Sequence, residues 1–273
     1  MLIDAFEDLA EDSGCQIMLT THTPVLARRF NQRSLRLVTK DDSGTNVSNG
    51  EDQEAFENIV YTLGVLPDHD VKVFIGVEGK NDINFLRIIS KILNNTGENI
   101  PDLKKEEAEG KLVFVPLGGS SIELCISRLE GFNRPEYYII DRDTIPPTTP
   151  RYQSIADEIN ERDNCTAWIT SKKELENYIH KDLIIATYQG YAGQGTDFED
   201  VPSLFAQAVH EASDSEINWT ALDEVKRDKK ISRGKKRLNT EFASMMTPDI
   251  LTEIDSNNDI RTWLTEIGNA LSP

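Results

Sequence analysis

Disulfide chemistry has little to work with in this chain. Its three cysteines, Cys15, Cys125 and Cys165, stand far apart, are odd in number and form no Cys-x-x-Cys spacing. That excludes a disulfide framework and a zinc ribbon, and it fits a reducing compartment. Long apolar runs are also missing. No stretch approaches the roughly 20 residues a membrane-spanning helix requires, so no membrane partner is expected. The opening residues, MLIDAFEDLAEDSG, have neither the basic start nor the apolar middle of a signal peptide. The expectation is a soluble cytoplasmic protein.

Basic residues are scarce as well: 29 Lys and Arg against 47 Asp and Glu give a net charge of −18. Neutralising phosphates needs Lys and Arg at the interface, so this balance argues against a nucleic-acid partner. The charge is unevenly placed, however. In KRDKKISRGKKR, residues 226–237, eight of twelve residues are basic and only Asp228 is acidic, while DSGTNVSNGEDQE and DSEINWTALDE carry acid without base. Taken alone, such a run is as readily a solvated helix face as a phosphate contact.

A chain of 273 residues has room for two modest domains, or one with an appendage. Residues 1–13 carry a helical stripe of Leu2, Ile3, Phe6, Leu9 and Ala10 with no capping approach, as if the chain opened inside an element. CQIMLTTHTPVLARRF (15–30) reads as a short strand, a polar corner and a helix with Pro24 in its first turn. RSLRLVTKDDSGTNVSNG (33–50) reads as a strand and a hairpin turn, residues 53–64 as a helix, and VLPDHD as a linker.

The pattern then changes. VKVFIGVE (71–78), KLVFVPL (111–117), EYYIIDRD (136–143) and TAWIT (166–170) are nearly continuous apolar runs, the mark of parallel strands buried on both faces. The helical patterns DINFLRIISKIL, SSIELCISRLEGF and RYQSIADEINER separate them. This alternation predicts a doubly wound α/β domain with a parallel sheet of about four strands. After Tyr178 only helical patterns follow: VPSLFAQAVHEASD, INWTALDEVKRDKK, KKRLNTEFASMM, PDILTEID and IRTWLTEIGNAL.

Ligands of open α/β sheets bind beyond the carboxyl ends of the strands, and three of the four strands lead into acids. The first runs into Glu78, with Asp82 one helical turn on; the third into Asp141 and Asp143; the fourth into SKKELENYI, with Glu174 and Glu176. The second ends on the glycine corner PLGGSS, where backbone can come close to a ligand. Each acid alone is ordinarily a cap or a turn residue. Their recurrence at the same end of successive strands weakens that reading, because crowded carboxylates raise one another's pKa and a hard divalent cation with oxygen ligands resolves the conflict.

VEGKND, PLGGSS and YYIIDRD resemble the Glu-Gly, glycine-turn and Asp-x-Asp motifs of the Toprim domain, shared by topoisomerases, bacterial primases, RecR-type repair proteins and OLD-family nucleases. ELENYI, followed by a helical region with SRGKKRL, resembles specifically the OLD (overcoming lysogenization defect) branch, which includes Gabija-type phage-defence nucleases. QIMLTTHTPVL resembles the strand and switch-histidine segment closing an ABC-type ATPase domain, with His22 at the histidine; no GxxxxGK[ST] loop accompanies it. The resemblance therefore implies the carboxy-terminal part of an OLD protein: an ATPase remnant at 1–66, a Toprim catalytic domain at 67–182 and a helical domain at 183–273.

Carried over residue by residue, the resemblance implies that Glu78, Asp82, Asp141, Asp143 and Glu176 bind two divalent ions, Mg²⁺ with Mn²⁺ or Ca²⁺ as substitutes, for cleavage of DNA. Glu176 is preferred to Glu174 because the family's acid precedes Asn-Tyr. Lys235, after Gly234, matches an active-site lysine, with Lys236 the neighbouring alternative; a phosphate contact is the plainer role for either. Gly118, Gly119 and Ser120 shape the site. ATP belongs only to the missing amino-terminal part, through which a homo-oligomer would form, and a helicase-like partner follows if the chain is Gabija-type. His69, His180 and His210 have no metal-ligand spacing, and YQGYAGQG (188–195) follows no strand and is expected to be a flexible connection.

Two rivals remain. YIIDRDTI nearly fits the Asp-x-Asp strand end of haloacid-dehalogenase-type phosphatases, with Asp141 as nucleophile and DSNND (255–259) as the distal acids, although Ile145 stands where Thr or Val is expected. The other is a catalytically silent Toprim module that only binds DNA.

Overall fold

The computed structural model describes residues 14, 16–20, 34–41, 44–49, 71–118, 129, 134–213 and 215–272. The chain divides into two compact units, Met1–His69 and Asp70–Pro273. In the first, β1 (Arg36–Asp41) and β2 (Gly44–Asn49) form the expected antiparallel hairpin, with Val38 opposite Val47. Residues 16–20 do not form the expected strand: Met18 and Leu19 stand exposed, and no strand pairs with them among the described residues. The expected helices at 1–13 and 53–64, the His22 segment with its Pro24 helix, and His69 lie outside the described residues, as do the 120–132 helix apart from Leu129, Gly119 and Ser120 of the glycine corner, and Cys15 and Cys125.

The second unit is built on four parallel strands: β3 (Val73–Val77), β4 (Leu112–Pro116), β5 (Glu136–Ile140) and β6 (Cys165–Ile169). Their order across the sheet is β4-β3-β5-β6. Every residue of β3 is buried, as its unbroken apolar run requires of a strand covered on both faces. The chain moves from β3 outward to β4 and then crosses back to β5, so the direction of winding reverses between β3 and β5. Such a switch point is where an open sheet leaves a crevice at its carboxyl edge.

Helix α1 (Lys80–Asn94) follows β3 and buries Ile83, Phe85, Leu86, Ile89 and Leu93. Each such side chain contributes roughly 1.5–3 kcal/mol of burial. Helix α2 (Leu103–Ala108) is capped by Asp102, whose carboxylate accepts the Lys104 and Lys105 N–H groups; α3 (Gln153–Asn160) joins β5 to β6.

The helices after the sheet are α4 (Lys181–Thr187), α5 (Val201–Glu211), α6 (Glu224–Arg237), α7 (Pro248–Ile254) and α8 (Asp259–Leu271). They do not make a separate core. Phe205, Phe242, Trp263, Leu264 and Ile267 belong to the same buried cluster as Val73, Ile75 and Leu86. Two readings differ from the sequence pattern. The expected helix at 217–230 begins only at Glu224, because Asp223 caps it through the Lys226 N–H at 2.8 Å, while residues 219–221 form a single 3-10 turn. The expected helix at 235–246 is the end of α6 followed by a π-turn, Leu238–Phe242, and a further 3-10 turn. No described helix is long and apolar enough to cross a membrane.

Candidate active site

The carboxyl ends of the four strands lie level. Val77 pairs with Pro116 and Ile140 with Ile169, and the ladder continues one step past the strands: Leu117 N–H donates to Val77 O at 2.8 Å, Gly118 N–H to Glu78 O at 3.1 Å and Thr170 N–H to Ile140 O at 3.0 Å. Gly79, Gly118, Asp141 and Thr170 therefore continue one row, and Glu78 stands one step before it, opposite Leu117 and Ile140, so that Glu78 and Asp141 are diagonal neighbours at the ends of adjacent strands. Gly118 has φ +51, a conformation that suits glycine. At Asp143 the extended backbone ends, at φ +60, with its N–H donating to Lys173 O. Glu78, Asp141 and Asp143 share a shallow cleft with Leu117, Ile139, Ile140 and Tyr152.

The other acids approach from two neighbouring elements. Asp82 lies in the first turn of α1, where its Oδ2 accepts the Gly79 N–H at 2.7 Å, and the positive end of the helix favours a carboxylate there. Glu174 and Glu176 come from the turn after β6, held to the strand ends by the Asp143 contact and by Thr170 Oγ1, which accepts the Arg142 N–H and donates to Lys172 O. Asp82, Asp141, Glu174 and Glu176 are all buried, Glu176 to 1% exposure, whereas Glu78 and Asp143 stand at the exposed rim.

Helix α6 supplies the counter-charge. Lys235 Nζ donates to Glu174 Oε2 at 2.7 Å, while Lys236 is exposed. One turn on, Asn239 in the π-turn donates from Nδ2 to Glu176 Oε1 at 2.6 Å. Gly234 lets α6 approach α5: a Cβ there would lie 3.2 Å from the Phe205 ring and 3.5 Å from Pro202 O. Gly234→Val is therefore expected to push α6 outward, cost about 1–3 kcal/mol by overpacking and weaken the Lys235 contact; Gly234→Ala, which asks Phe205 to give by only a few tenths of an ångström, is expected to be much milder. Thermal unfolding of the two variants checks this ranking, and equal melting temperatures would refute it.

Burial and crowding act together on the acids. Burial pushes Asp82 up to about 7, with Glu78 and Glu174 adding to it and the Gly79 N–H opposing. Burial pushes Glu176 up to about 8, partly offset by Lys235 and increased by Glu174 and Asp82. Asp141 is raised well above the carboxylate range by burial and then by Asp82, Glu176, Glu78 and Glu174. Glu174 is raised by burial against the pull of Lys235. For Lys235, burial disfavours the ammonium, but Glu176, Glu174 and Asp141 outweigh it and raise its pKa.

These shifts fix a pH dependence. A carboxyl group whose folded pKa exceeds its unfolded value near 4 binds its proton more tightly when folded, so stability falls as pH rises between the two values. In EDTA the melting temperature is expected to fall from pH 5 to pH 8, through the window set by Asp82 and Glu176. Mg²⁺ or Mn²⁺ at pH 8 is expected to restore it by binding the folded state. A melting temperature that rises over this range in EDTA would contradict the assignment.

The carboxylates sense one another without closing on a common point: among the described residues, no three acidic, histidine or cysteine side chains are gathered tightly enough to hold a metal ion as they stand. By donor chemistry the set nevertheless fits a hard divalent cation. It consists of carboxylate oxygens, and Glu176 Oε2 is buried with no hydrogen-bond partner among the described residues. Of the sequence candidates, the fold brings Glu78, Asp82, Asp141, Glu176 and Lys235 into one electrostatic cluster, as the mutual influences on Asp141 and Lys235 record; Asp143 joins through the cleft. Glu174, set aside in favour of Glu176, belongs to the cluster, and Asn239 was not foreseen. Its signal was available only as a polar residue four after Lys235, on the same helical face.

Elsewhere, His210 is buried beside Trp219 with Nε2 at 2.7 Å from Ile217 O, and His180 caps α4. The glycine-rich connection is pinned: Glu199 accepts the N–H groups of Gln194, Gly195 and Thr196, and buried Asn177 donates to Thr196 O and Glu199 O.

No family model matches the sequence, and no curated protein matches it. Among solved structures, the chain is similar to the C-terminal region of the Burkholderia pseudomallei OLD protein, at 15% identity and a TM-score of 0.45 over 74% of this chain and 99% of that one. It is also similar to the C-terminal region of the Xanthomonas campestris pv. campestris OLD protein in two structures, at 16% and 17% identity and a TM-score of 0.41, over 74% of this chain and 96% and 94% of those. These neighbours bear the name of the family that the sequence motifs resemble.

Proposed function

We propose that the second unit is a divalent-metal-dependent DNA endonuclease, the nuclease part of an OLD-type protein acting in phage defence or DNA processing in the cytoplasm. In this reading residues 67–182 are the Toprim domain, 183–273 its helical complement and 1–66 the tail of an ATPase domain. The observation that carries the reading is the gathering of Glu78, Asp82, Asp141, Glu174 and Glu176 at the switch point of a parallel sheet, with Lys235 held among them.

Glu78, Asp82, Asp141, Asp143 and Glu176 would hold two divalent ions, Mg²⁺ in the first instance, which supply when bound a more acidic water and charge neutralisation on the departing oxygen. The chain's own residues account for the rest. Asp141, under the influence of four other acids, ties the strand-end group to the buried group. Lys235 keeps its ammonium at the acid edge, where it can offset charge developing on a phosphate oxygen. The exposed basic residues of α6, Lys226, Lys229, Arg233 and Lys236, give an otherwise acidic chain a surface that can meet a nucleic-acid backbone.

The phosphatase alternative's distal acids are both engaged in hydrogen bonds within the fold. Asp255 accepts the Asp259 and Ile260 N–H groups, both at 2.9 Å, and caps α8; Asp259 accepts from the Tyr178 hydroxyl and the Ser171 N–H. Incubation with supercoiled plasmid and Mg²⁺ or Mn²⁺, without ATP, tests the proposal. Nicking that Glu78→Ala and Asp141→Ala both abolish is the expected result; undiminished nicking by both variants, or a beryllofluoride adduct on Asp141, would overturn it.

A further inference from the structure

Glu174 and Glu176 are two residues apart on the turn after β6, and each receives a hydrogen bond from the same helical strip. Lys235 donates to Glu174, and Asn239, four residues on, donates to Glu176. Asn239 is fully buried, and its Nδ2 also donates to Lys235 O at 3.0 Å. A single amide group thus joins the backbone of the lysine-bearing turn to an acid 63 residues away.

We infer that Asn239 is a positioning residue of the centre: it grips Glu176 by Oε1, fixes the carboxylate plane and leaves Oε2 free to ligate, while holding α6 at the register from which Lys235 reaches Glu174. This rests on the proposed function, because it takes Glu176 as a metal ligand.

Packing alone does not account for an amide at this position. Its neighbours in the π-turn, Leu238 and Phe242, are core residues, and a buried polar group is costly unless it is hydrogen-bonded. Asn239 Oδ1 has no partner among the described residues, so the bonds made by Nδ2 are what offset that cost. Groups that orient a ligating carboxylate typically change metal affinity by about 10–100-fold when removed. The π-turn supports the arrangement, since the wider turn is a common local device at functional sites.

Calorimetric titration of Mn²⁺ into the full chain tests the inference, with folding of each variant checked by circular dichroism in EDTA. Asn239→Leu, similar in size but without a donor, is expected to weaken Mn²⁺ binding by about 10–100-fold. The same change on a Glu176→Gln background is expected to cause no further loss, which a merely structural role would not produce. Asn239→Ala, which relieves any steric misfit of leucine, carries the same pair of expectations. Undiminished Mn²⁺ affinity in the Asn239 variants, or equal losses on both backgrounds, would overturn the inference alone. A wild-type chain that takes up no Mn²⁺ would overturn the proposed function and the inference with it.

Discussion

Asp141→Asn is expected to abolish metal-dependent nicking and, in the same preparation, to raise the melting temperature of the metal-free protein at pH 8. The opposite signs follow from its position. Asp141 is buried and feels Asp82, Glu176, Glu78 and Glu174 together, so its ionised form is costly. The amide keeps the size and shape of the side chain while removing the charge, which lowers the cost of ionising the remaining acids. One pKa unit of relief is worth about 1.4 kcal/mol, or roughly 3–6 °C for a unit of this size. Activity should nonetheless fall on the order of 10³-fold, the upper range for losing one charge-stabilising group. Asp143→Asn is the contrast. It lies at the exposed rim, so it should leave the melting temperature unchanged even where it reduces nicking. Scanning fluorimetry in EDTA, beside a plasmid assay in Mn²⁺, reads both quantities. An Asp141→Asn protein that is both less stable and inactive would make Asp141 a structural residue.

That trade of stability against site chemistry explains which parts of the molecule were legible in the sequence. Strands β3 and β5 were, because burial on both faces leaves unbroken apolar runs that end on acids: Val77 then Glu78, Ile140 then Asp141. Asp82 was legible because four residues make one helical turn. The order of strands was not, since it depends on where the chain crosses back; yet that order sets Glu78 beside Asp141. Glu174 could not be weighed against Glu176 locally, because its partner Lys235 comes 61 residues later. Residues 217–223 mimic a helix in their apolar spacing, but the Asp223 side chain accepts the Lys226 N–H in the first turn of α6 and starts the helix there. Asn239 was hidden for the same kind of reason: one polar residue between Leu238 and Thr240 gives no pattern, and only the π-turn and the distant Glu176 give it a partner.

Lys235 offsets the charge of Asp82, Glu174 and Glu176, and this makes Lys235→Met the most destabilising single change expected at the site. Methionine matches the length of the stem but leaves Glu174 buried without its hydrogen bond and removes the cation that offsets Asp82 and Glu176. Removing one partner of a buried pair costs about 3–5 kcal/mol. The lower figure applies here, because the Lys235 side chain keeps 32% of its surface in solvent. A loss of that size lowers the melting temperature on the order of 10 °C. The deficit should be largest at pH 8 in EDTA and shrink at pH 5, where the orphaned acids take up protons. Lys236→Met, one residue away but exposed, should show neither the deficit nor its pH dependence. Adding Glu174→Gln to Lys235→Met should recover much of the lost stability, by removing the charge that lost its partner, without recovering nicking. The coupling between the two positions, measured as a double-mutant cycle by denaturant unfolding at both pH values, separates a charge-balancing lysine from a lysine that merely packs: equal deficits at pH 5 and pH 8, with no coupling to Glu174, would assign Lys235 the second role.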